Sequence, residues 1–278
     1  MNVKYGITEW GLPGTGRYTV KFTAEAGLQG LQLDFGTYEG GYFMAQKRMM
    51  DAYMEDGAKY GVEFPSLVLN DLGKHGFVDG PESPDYEIAM DQVWTGLNCV
   101  KYMGIDTLMV PQFWANEITD DKKFDNAVKV FKQVCEKAAE DNITIMSETT
   151  LNADRMLDQL QAVDMPNLFA FYDSQNYDFF KGYDQKETLD KLYPYIGTQL
   201  HVKSSVGHDW EEGGVLSGAL LWEAESKFKI TEEKLKKEDY SGWIILEDYY
   251  YVKPVRDRNE DQYALLQQDV DFLKKTFG

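Results

Sequence analysis

The 278-residue chain carries 28 basic and 47 acidic side chains, a net charge of −19. That field repels phosphate backbones and anionic headgroups, which excludes nucleic acid and membrane surfaces as partners. An apolar share of 43% and an aromatic share of 14% are too high for a disordered chain, and the length suffices for a sizeable core. Cys99 and Cys135 cannot form a disulfide framework; both fall in helical patterns and read as small buried side chains. No basic leader with an apolar run opens the chain and no apolar stretch is long enough to span a bilayer, so the expectation is a cytoplasmic globular enzyme.

Val3–Thr8 reads as the first strand. Gly11-Leu-Pro-Gly-Thr-Gly16 follows; it lacks the Lys-Ser/Thr of a phosphate loop and reads as the first βα turn. A short helix ending near Gly27 leads to the strand Gly30–Asp34, and Met44–Lys59 is helical with a stop at Gly61. Val62–Leu69 is strand-like, Tyr86–Met103 helical, Thr107–Val110 a strand and Phe124–Ala139 a helix. Ile143–Glu148, Leu168–Tyr172, Thr198–Val202 and Trp243–Leu246 supply four more strands with helical segments between them, and Gln262–Phe277 is a last helix.

The eight strand candidates, each followed by a helix candidate at about 35 residues per unit, predict a single (β/α)8 TIM barrel over residues 1–278. A doubly wound open sheet shows the same alternation. The barrel is favoured because no composition break divides the chain and polar residues cluster just after strands in every quarter of it. The Gly/Pro-rich stretches Gly73–Asp85 and Ser204–Gly218 then read as long loops of the catalytic face.

Four ionisable residues close successive strands: Glu148, Asp173, His201 and Glu247. Alone, each acid would read as a helix cap or surface charge, and His201 as a hydrogen-bonded core residue. One per consecutive strand end, all four stand on one rim and make a mixed oxygen/nitrogen set suited to Mn²⁺, Mg²⁺, Co²⁺ or Zn²⁺. Three converging acids would repel one another without a cation, which is a further argument for one.

The segments Ser147-Glu148, Tyr172-Asp-Ser-Gln-Asn176, Leu200-His-Val-Lys203 and Tyr240-Ser-Gly-Trp-Ile-Ile-Leu-Glu247 resemble the xylose isomerase-like TIM barrels, which include sugar phosphate isomerases/epimerases and ketose 3-epimerases. Gly27-Leu-Gln-Gly-Leu-Gln-Leu33 is similar to that family's G-[FL]-x-G-[VL]-E-L, so the resemblance spans nearly the whole chain. It implies one divalent ion, Mn²⁺ first among the candidates, on Glu148, Asp173, His201 and Glu247. It also implies Glu148 and Glu247 as the catalytic acid/base pair, facing opposite sides of the substrate. The implied reaction is isomerisation or epimerisation of a neutral ketose or keto-sugar: a proton leaves the carbon beside a polarised carbonyl, and an enediolate is reprotonated.

Departures from the pattern refine the expectation. Asp173-Ser-Gln-Asn176 stands where ketose 3-epimerases have Asp-x-x-His, and Asn176 can bind a sugar hydroxyl but not relay a proton. His201-Val-Lys203-Ser204 lacks the acid of H-[LV]-K-D, and Gly207-His208 stands where an arginine is expected. Little positive charge beyond Lys203 and Arg155 follows the strands, which disfavours a phosphorylated substrate. Aromatic residues follow the strands instead: Trp10, Phe35, Phe113, Trp114, Trp210 and Tyr249-Tyr-Tyr251. Trp10, Trp114, Asn176, Lys203 and His208 are therefore the substrate-binding candidates, with a small carbohydrate as partner.

Two other functions remain open at this point. A lyase on the same scaffold would use the same metal and base to dehydrate a keto-inositol or cleave a 3-keto-glycoside or C-glycoside; a barrel without chemistry would bind sugar only. The exposed aromatics are compatible with a homo-oligomer, dimer or tetramer, which the sequence does not fix.

Overall fold

Parallel pairing of β1 (Asn2–Thr8) with β8 (Ser241–Leu246), from Asn2 beside Ser241 to Ile7 beside Leu246, closes a ring of strands. The structure, a computed structural model, describes residues 1–205, 218–223 and 228–278. Between these two strands lie β2 (Gly30–Asp34), β3 (Leu67–Val68), β4 (Thr107–Gln112), β5 (Thr144–Thr149), β6 (Leu168–Asp173) and β7 (Ile196–Val202). Their order around the barrel is their order in the chain, so each crossover packs its helix on the outside, as a parallel barrel requires.

The helices are α1 (Tyr18–Glu25), α2 (Lys47–Tyr60), α3 (Tyr86–Met103), α4 (Asp121–Ala139), α5 (Ala153–Val163), α6 (Asn176–Lys181), α7 (Gln185–Leu192), α8 (Phe228–Lys237) and α9 (Gln262–Phe277). α4 shows why such segments are helical: Asp120 caps the Lys123 amide, and Phe124, Ala127, Val130, Phe131, Val134 and Ala138 form one buried stripe. α3 stops at Gly104, whose φ of +69° suits a glycine after the last turn.

Alternation along the strands separates two cores. Outward-facing residues pack with the helices in one large cluster, while Val68, Met109, Met146 and Phe171 form a separate cluster inside the ring. Cys99 and Cys135 are free and buried, as expected.

The strand expected over Val62–Leu69 shrinks to Leu67–Val68, with one isolated bridge from Glu63 to Gly30. Leu31 N donates to Glu63 O at 3.0 Å and Leu33 N to Ser66 O at 3.0 Å, so three steps of this segment oppose two of β2 and the ladder is interrupted across Phe64 and Pro65. β4 and β7 are longer than expected, because Pro111 and Gln112, and Ile196 and Gly197, continue the strands. Among the described residues no helix is long and apolar enough to cross a membrane.

Candidate metal centre

β6 alternates Phe169, Phe171 and Asp173 on one face, and β7 does the same with Gln199, His201 and Lys203. The register sets Asp173 directly beside His201, and Val202 beside Leu246, so that Glu247 emerges one residue further at the same height. Glu148 comes from β5. One ligand atom from each of Glu148, Asp173, His201 and Glu247 lies within 4.8 Å of all the others, and all four residues are buried. His201 Nδ1 is 3.2 Å from a Glu247 oxygen, 3.5 Å from Glu148 and 3.8 Å from Asp173.

These residues fit a divalent cation. Asp173 Oδ1 is taken by the amides of Gln175 and Asn176, each at 2.7 Å. Its Oδ2, ion-paired with the Lys203 ammonium at 3.1 Å but without a hydrogen bond, and the Nδ1 of His201 are both buried, and both belong to the converging set. Buried polar atoms left without hydrogen bonds in a ring of three carboxylates are what a cation would complete.

The rest of the site orients these groups. Trp10 Nε1 donates to Glu247 Oε1 at 2.9 Å, and Lys203 Nζ donates to Glu247 Oε2 at 2.6 Å. Lys203 also stands 3.1 Å from Asp173 Oδ2. Asn176 Nδ2 donates to Glu148 Oε1 at 2.8 Å. Trp10, Asn176 and Lys203 are thus brought to the cluster, whereas Trp114 stands further out on the rim and is 71% exposed. His208, with Trp210, lies outside the described residues.

Burial raises the Glu148 carboxyl above its ordinary range. Burial also works against Glu247, but the Lys203 and His201 cations beside it hold that carboxyl well below the usual range. The same neighbours act in reverse on the bases: against burial, Glu247 and Glu148 push His201 up to about 10, and Asp173 and Glu247 keep Lys203 charged.

Sequence reading missed a polar chain inside the barrel. His201 Nε2 lies 2.7 Å from Gln32 Oε1, Gln32 Nε2 donates to Ser66 Oγ at 3.0 Å, and Ser66 donates to Gln199 Oε1 at 2.8 Å. Gln199 Nε2 ends the chain on the Pro65 carbonyl at 2.6 Å. Since the far end can only accept, every donor is fixed, and His201 Nε2 carries a proton, which leaves Nδ1 as the nitrogen that faces the carboxylates. The period-2 position of Gln32 in β2 was the available signal, but its partners lie on β3 and β7.

A cavity of about 790 Å³ opens above the cluster. Glu148, Asn176, Lys203 and Glu247 line its inner end, and Phe113, Trp114, Phe180 and Tyr251 are among its wall residues. Two expected rim aromatics are elsewhere. Phe35 is fully buried and stacked on Tyr42 at 4.7 Å, because it continues the outward face of Leu31 and Leu33 and packs in the core under the helices. Tyr250 points away from its neighbours and donates to Asp269 on α9, which leaves Tyr249 and Tyr251 on the cavity side.

The profile of the xylose isomerase-like TIM barrel family matches residues 20–276. The chain is 24% identical over 203 residues to the 2-epi-5-epi-valiolone 7-phosphate 2-epimerase of Actinoplanes sp., with 73% of each chain covered. Its fold is similar to that of D-psicose 3-epimerase with D-tagatose from Clostridium cellulolyticum H10, at a TM-score of 0.77, 13% identity and 99% of both chains. It is also similar to the probable 3-DHS dehydratase involved in petrobactin synthesis from Bacillus anthracis, at a TM-score of 0.73, 16% identity and 98% of both chains.

Proposed function

The chain belongs to the xylose isomerase-like TIM barrels, and from that membership we propose that it is a metal-dependent isomerase or epimerase of a neutral ketose or keto-sugar. The observation that carries this reading is the convergence of Glu148, Asp173, His201 and Glu247 at the inner end of a cavity, with two buried ligand atoms that make no hydrogen bond. Glu148, Asp173, His201 and Glu247 would hold a divalent ion, Mn²⁺ first among the candidates, which would supply Lewis-acid polarisation of the substrate carbonyl.

The protein's own groups divide the proton work. Glu247 is held ionised by Lys203, the state a base needs to take the proton beside a carbonyl. Glu148 stands on the other side of the cluster, held by Asn176, and is the second carboxyl, placed to return a proton. Return of the proton to the opposite face inverts the centre, and its return to a neighbouring carbon moves the carbonyl. Asn176 and Trp10 fix the two carboxyls by the hydrogen bonds already described. The cavity-lining cations among the described residues, Lys181 and Lys203, are both paired with carboxylates, which supports a neutral substrate. The same reading takes residues 1–278 as one barrel domain acting in the cytoplasm.

The size of the cavity favours one second reading, a lyase in which the same proton removal expels a β-substituent. Product mass separates the two: unchanged for an isomer, reduced for elimination.

The test is elemental analysis of protein loaded with Mn²⁺ and desalted, with the double variant Glu148→Gln/Asp173→Asn as control. The expected result is one ion per chain, lost in the variant, and substrate-dependent exchange with D₂O that Glu247→Gln abolishes. An unloaded protein that added Mn²⁺ does not stabilise against heat overturns the proposal.

A further inference from the structure

The cavity grades from charged to apolar. Its inner end carries the carboxylates, Lys203 and Asn176; its outer wall gathers aromatic side chains from the ends of three different strands. Phe113 follows β4 and touches Trp114 at 5.9 Å and Phe180 at 5.8 Å between ring centres, the latter from α6 after β6. Across from them, Tyr249 and Tyr251 follow β8 and meet edge-on at 5.8 Å. Offset and edge-on contacts of this kind hold the rings in fixed directions.

Trp114 is the informative residue. Its φ of +50° lies in the left-handed region, which costs a bulky side chain on the order of 1 kcal/mol or more. Its indole is nonetheless 71% exposed and sits against Gly73, where an added Cβ would come within 2.6 Å of the ring. A strained backbone that displays a large apolar ring toward a cavity brings the free protein two costs and no core packing, so the gain lies in what fills the cavity.

Volume points the same way. At roughly 30 Å³ per water molecule, the 790 Å³ cavity holds about 26 water-sized volumes. A free hexose, with six carbons and six oxygens, leaves much of that space wet. Charge limits what fills the remainder. Lys181, on the outer wall, is paired with Glu117 at 2.5 Å, and no other cation outside the metal cluster lines the cavity among the described residues.

We propose that Phe113, Trp114, Phe180 and Tyr251 form a second subsite for a flat, uncharged, apolar substituent, so that the substrate is a sugar carrying an aromatic aglycone rather than a free monosaccharide. The inner end takes the sugar and the outer end takes the aglycone. This inference rests on the sugar-processing reading of the inner end.

The test is calorimetric binding of the 4-nitrophenyl and methyl glycosides of 3-keto-β-D-glucopyranose to Mn²⁺-loaded protein, with Trp114→Ala and Phe180→Ala checked for folding by circular dichroism. The aryl glycoside is expected to bind about tenfold tighter than the methyl glycoside, the scale of one buried aromatic contact. Each variant is expected to lose most of that advantage while keeping its affinity for the methyl glycoside. Equal affinities, an advantage untouched by both variants, or no binding of either glycoside overturns the subsite. Retained Mn²⁺ is measured on the same samples. An aryl preference without retained ion overturns the metal reading and leaves the subsite; a retained ion without the preference does the reverse.

Discussion

His201 presents its two ring nitrogens to different surroundings, Nε2 to an uncharged amide and Nδ1 to three carboxylates. Gln32 makes that assignment, and it stands where the family pattern has a glutamate. An amide oxygen can accept the imidazole N–H but cannot take its proton, so Nε2 keeps its proton without a fourth acid being added to an already acidic cluster. Gln32→Leu removes the acceptor and leaves the Nε2 proton buried without a partner. We expect Mn²⁺ affinity, measured by competition with a chromophoric chelator, to fall roughly 10- to 100-fold, the usual effect of losing the partner of a ligating histidine. Unchanged affinity would show that packing by Phe171, 4.5 Å from the imidazole centre, orients the ring by itself. At this scale the sequence identified the four candidate ligands, because a strand end is recognisable from hydrophobic runs. The relay was not legible, since Gln32, Ser66 and Gln199 are joined only when β2, β3 and β7 curl around one axis.

The elements that shape the cavity are loops, and they hold one another. The loop after β2 is clasped to the loop after β3: Tyr38 N donates to Asp71 Oδ2 at 2.8 Å, and His75 lies 3.4 Å from Glu39 and 2.7 Å from Asp85. The loop after β3 in turn lies against the short turn Trp114–Asn116 after β4. Asn116 accepts the Phe77 amide at 3.0 Å, and Gly76 packs so closely that an added Cβ would meet the Ala115 carbonyl oxygen at 2.2 Å. Neither partner is a flexible side chain, so Gly76→Ala must push the Trp114 turn away. A loss of about 1–3 kcal/mol in urea unfolding is expected from the overpacking, together with weaker binding of any ligand that touches Trp114. A variant as stable as the parent would show that the two loops separate freely. Sequence analysis recognised Gly73–Asp85 as a long loop of the catalytic face but could not tell which glycine spaced it, because close approach between loops leaves no periodic signal.

Over the whole molecule, burial also raises acids outside the metal cluster, Glu9, Asp269 and its neighbour Asp248 among them. Burial raises Glu9 to about 7 and Asp269 to about 7. Glu9 is held by Tyr53, Thr19 and the Asp34 amide, and Asp269 by Tyr250 and the Leu221 amide. Unfolded, both release their protons in the ordinary carboxylate range, so between about pH 4.5 and 7 the folded chain binds more protons. Stability is therefore complete below that window and falls as pH rises through it, by up to about 1.4 kcal/mol per pH unit for each group. Self-repulsion from the net charge of −19 acts in the same direction. In chelator-treated protein the urea midpoint should be lower at pH 8 than at pH 5, and Asp269→Asn should flatten the difference. A midpoint that rises with pH would mean that these acids are ionised in the fold.

Fold class and the candidate metal ligands were determined by the sequence itself, because both are written in short-range pattern: the alternation of apolar runs with helical stripes, and an ionisable residue at the end of each of four successive strands. Tertiary structure alone decided what depends on closure and on contacts between distant loops. The interruption of the third strand before Leu67, the burial of Phe35 against Tyr42, the outward turn of Tyr250 and the exposed, left-handed Trp114 each follow from what the neighbouring element leaves room for. A side chain's distance along the chain says little about which face of a curved, closed sheet it meets, and that face determines whether it packs the core, orients a ligand or walls a cavity.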